Sequence, residues 1–257
     1  MLREILCLAL CLISGVHGYW KPSPGTTFQW QLQGTIDLHV SASVFDIDLF
    51  DAKDSDISYL KSHGEKVICY FSAGSHENWR NDVSSVPSGD IGNKLDGWAG
   101  EHWWDITSSA VHHVIQKRLD LAKSRGCDAV EPDNVDGYAN NNGLGLSKTD
   151  QITFNKWLAS EAHHRGLSVG LKNAVDLIDS LESSFDWAIN EECLSYDECG
   201  GYKRFLDHHK AVFHVEYVDH HSQGSAKKNS VCHDSNRPSG FTTLIKDWDL
   251  TSWRLTC

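Results

Sequence analysis

Short strand-like runs alternate with helical stretches along most of the chain, and this alternation restricts the fold more than any other feature of the sequence. The strand-like runs fall at 28–33, 44–49, 66–72, 128–133, 167–172, 187–191, 211–217 and 242–248. A helix is predicted over 109–124, with Val111, Val114, Ile115, Leu119 and Ala122 on one face and Gly126 as its stop. A second is predicted over 148–165, with Phe154, Trp157, Leu158 and Ala162 on its face. Ser147 and Asp150 resemble a capping box at its start, and Gly166 follows its end. Shorter helices are expected over 174–181 and 202–209. Eight strands alternating with helices in about 240 residues specify an α/β fold, a (β/α)8 TIM-type barrel. The runner-up is an open doubly wound sheet. It is disfavoured because no glycine-rich phosphate loop follows the first strand. A length of 257 residues suits one domain with a sizeable core.

Two segments break the rhythm. Residues 73–107 form a long connection containing Trp79, Trp98, Trp103 and Trp104, and a long structured loop on a barrel belongs to the active-site face. Trp104 is accordingly a candidate substrate contact. Residues 220–240 are polar and are expected to form an exposed loop before the last strand.

Residues 1–18 read as a secretory signal peptide. Arg3 lies in a short head, an apolar run covers 5–13, and Val16 and Gly18 take the −3 and −1 positions of the expected cut. The exported domain is then 19–257. No stretch is long and apolar enough to be read as a membrane span. Cys7 and Cys11 leave with the leader. Cys69, Cys127, Cys193, Cys199, Cys232 and Cys257 remain, an even number that favours three disulfides in an exported chain. The expected pairs are Cys69–Cys127, Cys193–Cys199 and Cys232–Cys257, of which only the close Cys193–Cys199 pair has support from spacing. The lack of a Cys-x-x-Cys pair disfavours zinc, and no N-glycosylation sequon is present.

A net charge of −12 repels nucleic acid and anionic membranes. The ten Trp residues suit either sugar-stacking surfaces or core filling, and composition leaves both open. The expected partner is a polysaccharide substrate, and the chain is read as a monomer that uses no cofactor and no metal. Four His-His pairs (112–113, 163–164, 208–209, 220–221) suggest metal at first sight, but adjacent helical residues do not face one site. No Gly-x-Ser-x-Gly elbow is present.

Barrel chemistry sits where strands end. The fourth strand ends in Glu131, Pro132, Asp133 and Asn134, with Asp136 and Tyr138 just beyond. Alternation puts Ala129, Glu131 and Asp133 on one face. If that face points inward, Asp133 stands at the mouth and Glu131 lies one layer deeper. The third strand ends with Tyr70 and Ser72, the fifth with Lys172 and Asn173, the sixth with Glu191 and Glu192, and the seventh with Glu216 and Tyr217. Ser72 and Glu216, at the ends of their strands, are candidate substrate contacts. Two carboxylates from different strands aimed at one mouth are the minimum equipment for cleaving a glycosidic bond. One must hold a proton at working pH, and the other must be ionised. Asp133 and Glu191 fit these roles, with Lys172 placed to supply a cation. Glu131 reads more simply as a buried partner of Lys172. Asp46 and Asp48 share a face of the second strand and either line the cleft or stay solvated. Glu192 and Asp136 read as exposed loop carboxylates or helix caps.

Several blocks carry a resemblance. They are Val67–Ser75, Gly97–Glu101, Gly126–Tyr138, Gly170–Asn173 and Asn190–Cys193. Together they resemble glycoside hydrolase family 114, the endo-α-1,4-polygalactosaminidases, in the expected order from about Phe28 to Tyr217. The resemblance implies a (β/α)8 barrel and endo-hydrolysis of α-1,4-linked galactosamine or N-acetylgalactosamine polymers. It implies Asp133 as nucleophile and Glu191 as acid/base in a retaining mechanism. It also implies Tyr70, Lys172, Asn134, Tyr138 and Tyr217 along the sugar subsites. Beyond His220 no block of the family is evident. A barrel of different sugar specificity, such as a chitinase-like one, and an inactive sugar-binding barrel are the alternatives.

Overall fold

The computed structural model describes residues 18–257. The expected leader, apart from Gly18, lies outside the described residues. In chain order the elements are β1 (Phe28–Gln31), β2 (Val44–Asp48), α1 (Asp54–Ser62), β3 (Lys66–Ser72), β4 (Ser75–Glu77), β5 (Ile91–Lys94) and β6 (Glu101–Trp104). There follow α2 (Ser109–Arg125), β7 (Ala129–Asp133), α3 (Lys148–His164), β8 (Ser168–Lys172), α4 (Ile178–Leu181) and β9 (Trp187–Glu191). The chain ends with α5 (Lys203–Asp207), β10 (Val212–Val218), α6 (Gly224–Cys232), β11 (Phe241–Asp247) and β12 (Leu255–Thr256).

Eight parallel strands curl in the order β1-β2-β3-β7-β8-β9-β10-β11, at the positions expected from sequence with slightly shifted ends. The chain therefore has the TIM-type fold. Among the described residues β1 and β11 do not pair directly. The C-terminal segment fills the gap: Leu32 N–H donates to Leu250 O at 3.0 Å, and Gln29 Nε2 donates to Ser252 O at 2.9 Å. The Arg254 guanidinium donates to Phe28 O, and β12 runs antiparallel on β11.

Strand alternation divides the core into two layers. Phe28, Trp30, Ile68, Ala129, Trp187, Phe213 and Leu244 pack inside the barrel. Phe45, Val67, Cys69, Phe71, Val130 and Val169 face outward against Val111, Ile115, Leu119, Phe154 and Leu158 of α2 and α3. Ala129 is thus inside and Val130 outside, as the alternation predicts. The interior lacks room for a side chain at Gly170, where a Cβ would come within 2.4 Å of the Trp187 indole.

Ser108 caps α2 through the Ala110 N–H, and α2 closes on Gly126 in the left-handed conformation. Ser147 and Asp150 form the expected capping box of α3. Trp157 is half-buried and stacks on His112 with ring centroids 4.0 Å apart. The expected helix over 174–181 divides into a 3-10 turn, Val175–Leu177, and the short α4.

Two expectations are corrected. The long 73–107 connection is structured and reaches the cleft, as expected, but its order comes from a separate antiparallel sheet of β4, β6 and β5 that turns Trp104 inward. It is anchored by Arg118, whose Nη1 donates to Ser72 O at 2.6 Å and to Glu77 Oε2 at 3.1 Å, while its Nε donates to Asp82 Oδ2 at 2.8 Å. The polar 220–240 segment holds α6 rather than loop alone. Only Gly224 and Val231 of α6 are buried, so it shows little apolar periodicity. Its ties to the barrel are the Cys232–Cys257 disulfide, the Lys227–Glu216 ion pair at 2.9 Å and the packing of Val231 on Val218 and Ile245. All three disulfides pair as expected. No helix among the described residues is long and apolar enough to cross a membrane.

Candidate active site

Three adjacent strands stop in the same way. β7, β8 and β9 end at Asp133, Lys172 and Glu191, and the next residues, Asn134, Asn173 and Glu192, have φ of 60°, 45° and 59°. Left-handed residues other than glycine are uncommon, and Asn is among the few that tolerate the region. The abrupt turn leaves each strand's final side chain at the barrel mouth. The turn after β3 comes close to this corner. A Cβ at Gly74 would lie 1.7 Å from Asn134 O, so only glycine fits there.

Lys172 occupies the centre. Its Nζ is 3.0 Å from Glu131 Oε1, 3.3 Å from Asp133 Oδ1 and 3.1 Å from Glu191 Oε2. It also lies 4.7 Å from the centroid of the Trp30 ring, a cation–π contact from below. Burial alone would lower the Lys172 pKa. The three carboxylates outweigh burial and hold the ammonium well above the ordinary lysine range.

Donors surround both mouth carboxylates. Asp133 Oδ2 accepts from Tyr70 OH at 3.0 Å, and Oδ1 accepts from Asn134 N–H at 2.7 Å. Glu191 Oε2 accepts from Asn173 Nδ2 at 3.0 Å, and Oε1 accepts from Tyr217 OH. Burial pushes both tyrosine hydroxyls well above their usual range, so they remain neutral donors.

The pair opens into a cleft of roughly 620 Å³. Exposed Trp98, Tyr196 and Trp248 line it, and Trp248 stacks on Tyr217 with centroids 4.2 Å apart. Asp136 and Glu101 add carboxyls to the wall. Burial, followed by the Asp133 charge, raises Asp136 to about 6, and burial raises Glu101 to about 7. Tyr70, Asn134, Tyr138, Lys172 and Tyr217 line the same cleft with Asp133 and Glu191.

Three sequence candidates lie off the cleft. Trp104 is fully buried and donates from Nε1 to Ala73 O at 2.7 Å, propping the turn after β3. Ser72 is buried, with its Oγ 2.6 Å from Ser75 Oγ, and it accepts from Asn134 Nδ2 at 2.9 Å, which steadies Asn134 from behind. Glu216 is buried and accepts from Leu194 N–H at 3.0 Å and Ser195 Oγ at 3.1 Å, which fixes the loop after β9. Position at a strand end identified Glu216 and Ser72 but not the direction their side chains take.

Other residues find places that the sequence did not single out. Asp46 is neither solvated nor on the cleft wall but fully buried beneath it, and Asp48 is held by Arg80 at 2.7 Å. Asp136 and Glu192 line the cleft rather than standing free in loops. Asn173 braces Glu191, with Glu191 N–H donating to Asn173 Oδ1 at 2.9 Å. Trp248 follows the last barrel strand, so the strand-end rule could have found it. The His pairs find separate partners, such as Asp186 for His163, Glu182 for His208 and Asp247 for His221. One trio with metal-type side chains converges among the described residues: Cys193, Cys199 and His214. Its cysteines are joined in a disulfide and offer no thiolate.

A parallel barrel with two strand-end carboxylates facing an acidic, aromatic cleft has the make-up of a glycoside hydrolase. The sequence model of glycoside-hydrolase family GH114 matches residues 13–257, and the chain belongs to that family. The crystal structure of Aspergillus fumigatus Ega3 in complex with galactosamine superposes with a TM-score of 0.88 at 43% identity, covering 93% of this chain and 98% of that one. The glycoside hydrolase domain of PelA from Pseudomonas aeruginosa shares the fold, with a TM-score of 0.67 at 12% identity, over 90% of this chain and 97% of that one. No curated protein matches the chain.

Proposed function

We propose that this enzyme is a secreted endo-acting hydrolase of α-1,4-linked galactosamine polymers, with Asp133 as nucleophile and Glu191 as acid and then base. The observation that carries the reading is a single ammonium, Lys172 Nζ, shared at 3.3 Å and 3.1 Å by two strand-end carboxylates on one cleft wall. The shared ammonium holds one oxygen of each carboxyl group at a common centre. The retaining course is taken from the likeness to the family, and the anomeric configuration of the first-formed product tests it. The galactosamine in the Ega3 structure supports the sugar class, and the three disulfides suit an oxidising, extracellular setting.

In the first step Asp133 bonds to the anomeric carbon, the glycosidic C–O bond breaks, and the Glu191 proton passes to the leaving oxygen. Water then attacks the same carbon, returns a proton to Glu191 and releases Asp133.

A de-acetylated galactosamine polymer is cationic, and a −12 protein with an acidic cleft attracts it at long range. The expected result is that kcat/KM on that polymer falls between low and physiological salt, as the screening length shrinks from about 30 Å to about 8 Å. A fully acetylated polymer is neutral and is expected to show no such fall. The salt effect should deepen from pH 5 to pH 7, because Asp136 and Glu101 ionise near 6 and 7. Product analysis on polymers of known acetylation tests both parts. Equal salt sensitivity removes the steering, and cleavage of chitin-type polymers in place of galactosamine polymers overturns the specificity.

A further inference from the structure

Beneath the site lies a buried polar group for which the proposed chemistry has no use. Asp46, from β2, is fully buried, and neither carboxyl oxygen has a partner among nitrogen or hydroxyl donors. Glu131 is equally buried and uses Oε1 for Lys172, while its Oε2 has no such partner. The two carboxyl groups face each other within hydrogen-bonding contact. The charged groups around the pair are Lys172 and Asp133, with Tyr70 and Tyr217 above. Among the described residues Lys172 is the one cation in contact with the pair, and it already serves three carboxylates.

Two dry, touching carboxylates with no second cation cannot both stay ionised. We propose that Asp46 is a positioning residue that shares one proton with Glu131, so that the pair acts as a monoanion holding Lys172 midway between Asp133 and Glu191. The shared proton satisfies the orphaned oxygens and leaves Lys172 with one buried counter-charge instead of two. A second negative charge at this depth would draw the ammonium down, away from the mouth. Burial raises both groups above the usual carboxylate range, in keeping with this arrangement.

This inference rests on the reading of Asp133 and Glu191 as the reacting pair, and its test has an arm independent of activity. The infrared difference spectrum between wild type and Asp46→Asn at neutral pH is expected to contain the carbonyl stretch of one protonated carboxyl group. Absence of that band overturns the inference. In kinetics, Asp46→Leu is expected to lower kcat by about 10- to 100-fold with little change in KM, the scale of a small misplacement at a reacting centre. Asp46→Asn, which can still donate to Glu131, is expected to recover most of that loss. An Asp46→Asn enzyme as slow as Asp46→Leu overturns the inference, because it would mean that Asp46 acts as an anion. If the wild type cleaves no galactosamine polymer, the proposed function fails, and the infrared arm still decides where the proton lies.

Discussion

Asp133→Asn and Glu191→Gln are each expected to lower hydrolysis of a galactosamine polymer by about 10²–10⁴-fold. Both substitutions keep shape and volume, and the folds should survive, because Asp133 and Glu191 sit at the partly open mouth rather than in the core. The roles separate on a second substrate. An activated aryl galactosaminide needs no proton on its leaving group, so Glu191→Gln should regain much of its first-step rate there. Asp133→Asn should stay slow on both, since the amide is a poor nucleophile whatever the leaving group. Thermal unfolding of each variant controls for folding. Wild-type rates in both variants would overturn the assignment of Asp133 and Glu191 as the reacting pair, and matching behaviour on the aryl substrate would remove the assignment of roles.

The second large effect concerns Lys172. Replacement by Met, of similar length, removes the ammonium shared by Glu131, Asp133 and Glu191. Breaking a buried ion pair by removing one partner costs about 3–5 kcal/mol. Most of that cost is expected here, because Lys172 is 3% exposed and Glu131 is fully buried. The sign with pH follows from linkage. Lys172 holds the Glu131 pKa down, so without it the Glu131 pKa in the folded state rises further. The penalty is then present at neutral pH and fades as acid protonates the carboxyls. Denaturant unfolding at pH 7 and pH 4.5 should show a large difference from wild type at the first and a smaller one at the second. Activity at pH 7 should be lost as well, since nothing then holds Asp133 and Glu191 on one centre. Equal destabilisation at both pH values would show that Lys172 contributes packing rather than charge.

The sites of these two effects differ in how visible they are before folding. Asp133 and Glu191 end strands whose period of two is written locally, so their placement at a barrel mouth follows from order and alternation. Lys172 also ends a strand, and its pairing with Glu131 could be expected. Its contact with three carboxylates at once could not, because they come from three separate segments. Trp104 illustrates the opposite failure. Its place in a tryptophan-rich connection suggested a sugar platform, but the small antiparallel sheet turns it inward. Trp98, six residues earlier, does reach the cleft.

Local chemistry thus determined the strand positions, the caps of the two long helices, the inward face of β7 and the two carboxylates at the mouth. These depend on near neighbours, whose spacing the chain fixes covalently. Tertiary structure alone decided that residues 249–257 close the barrel, that polar α6 is held by a disulfide, and that Glu101 faces the cleft. It also decided that Trp104, Ser72 and Glu216 do not face the cleft, and that Asp46 meets Glu131 beneath Lys172. Each of these depends on which distant segment lies opposite. Alternation tells a side chain to point inward, but packing chooses what it meets there.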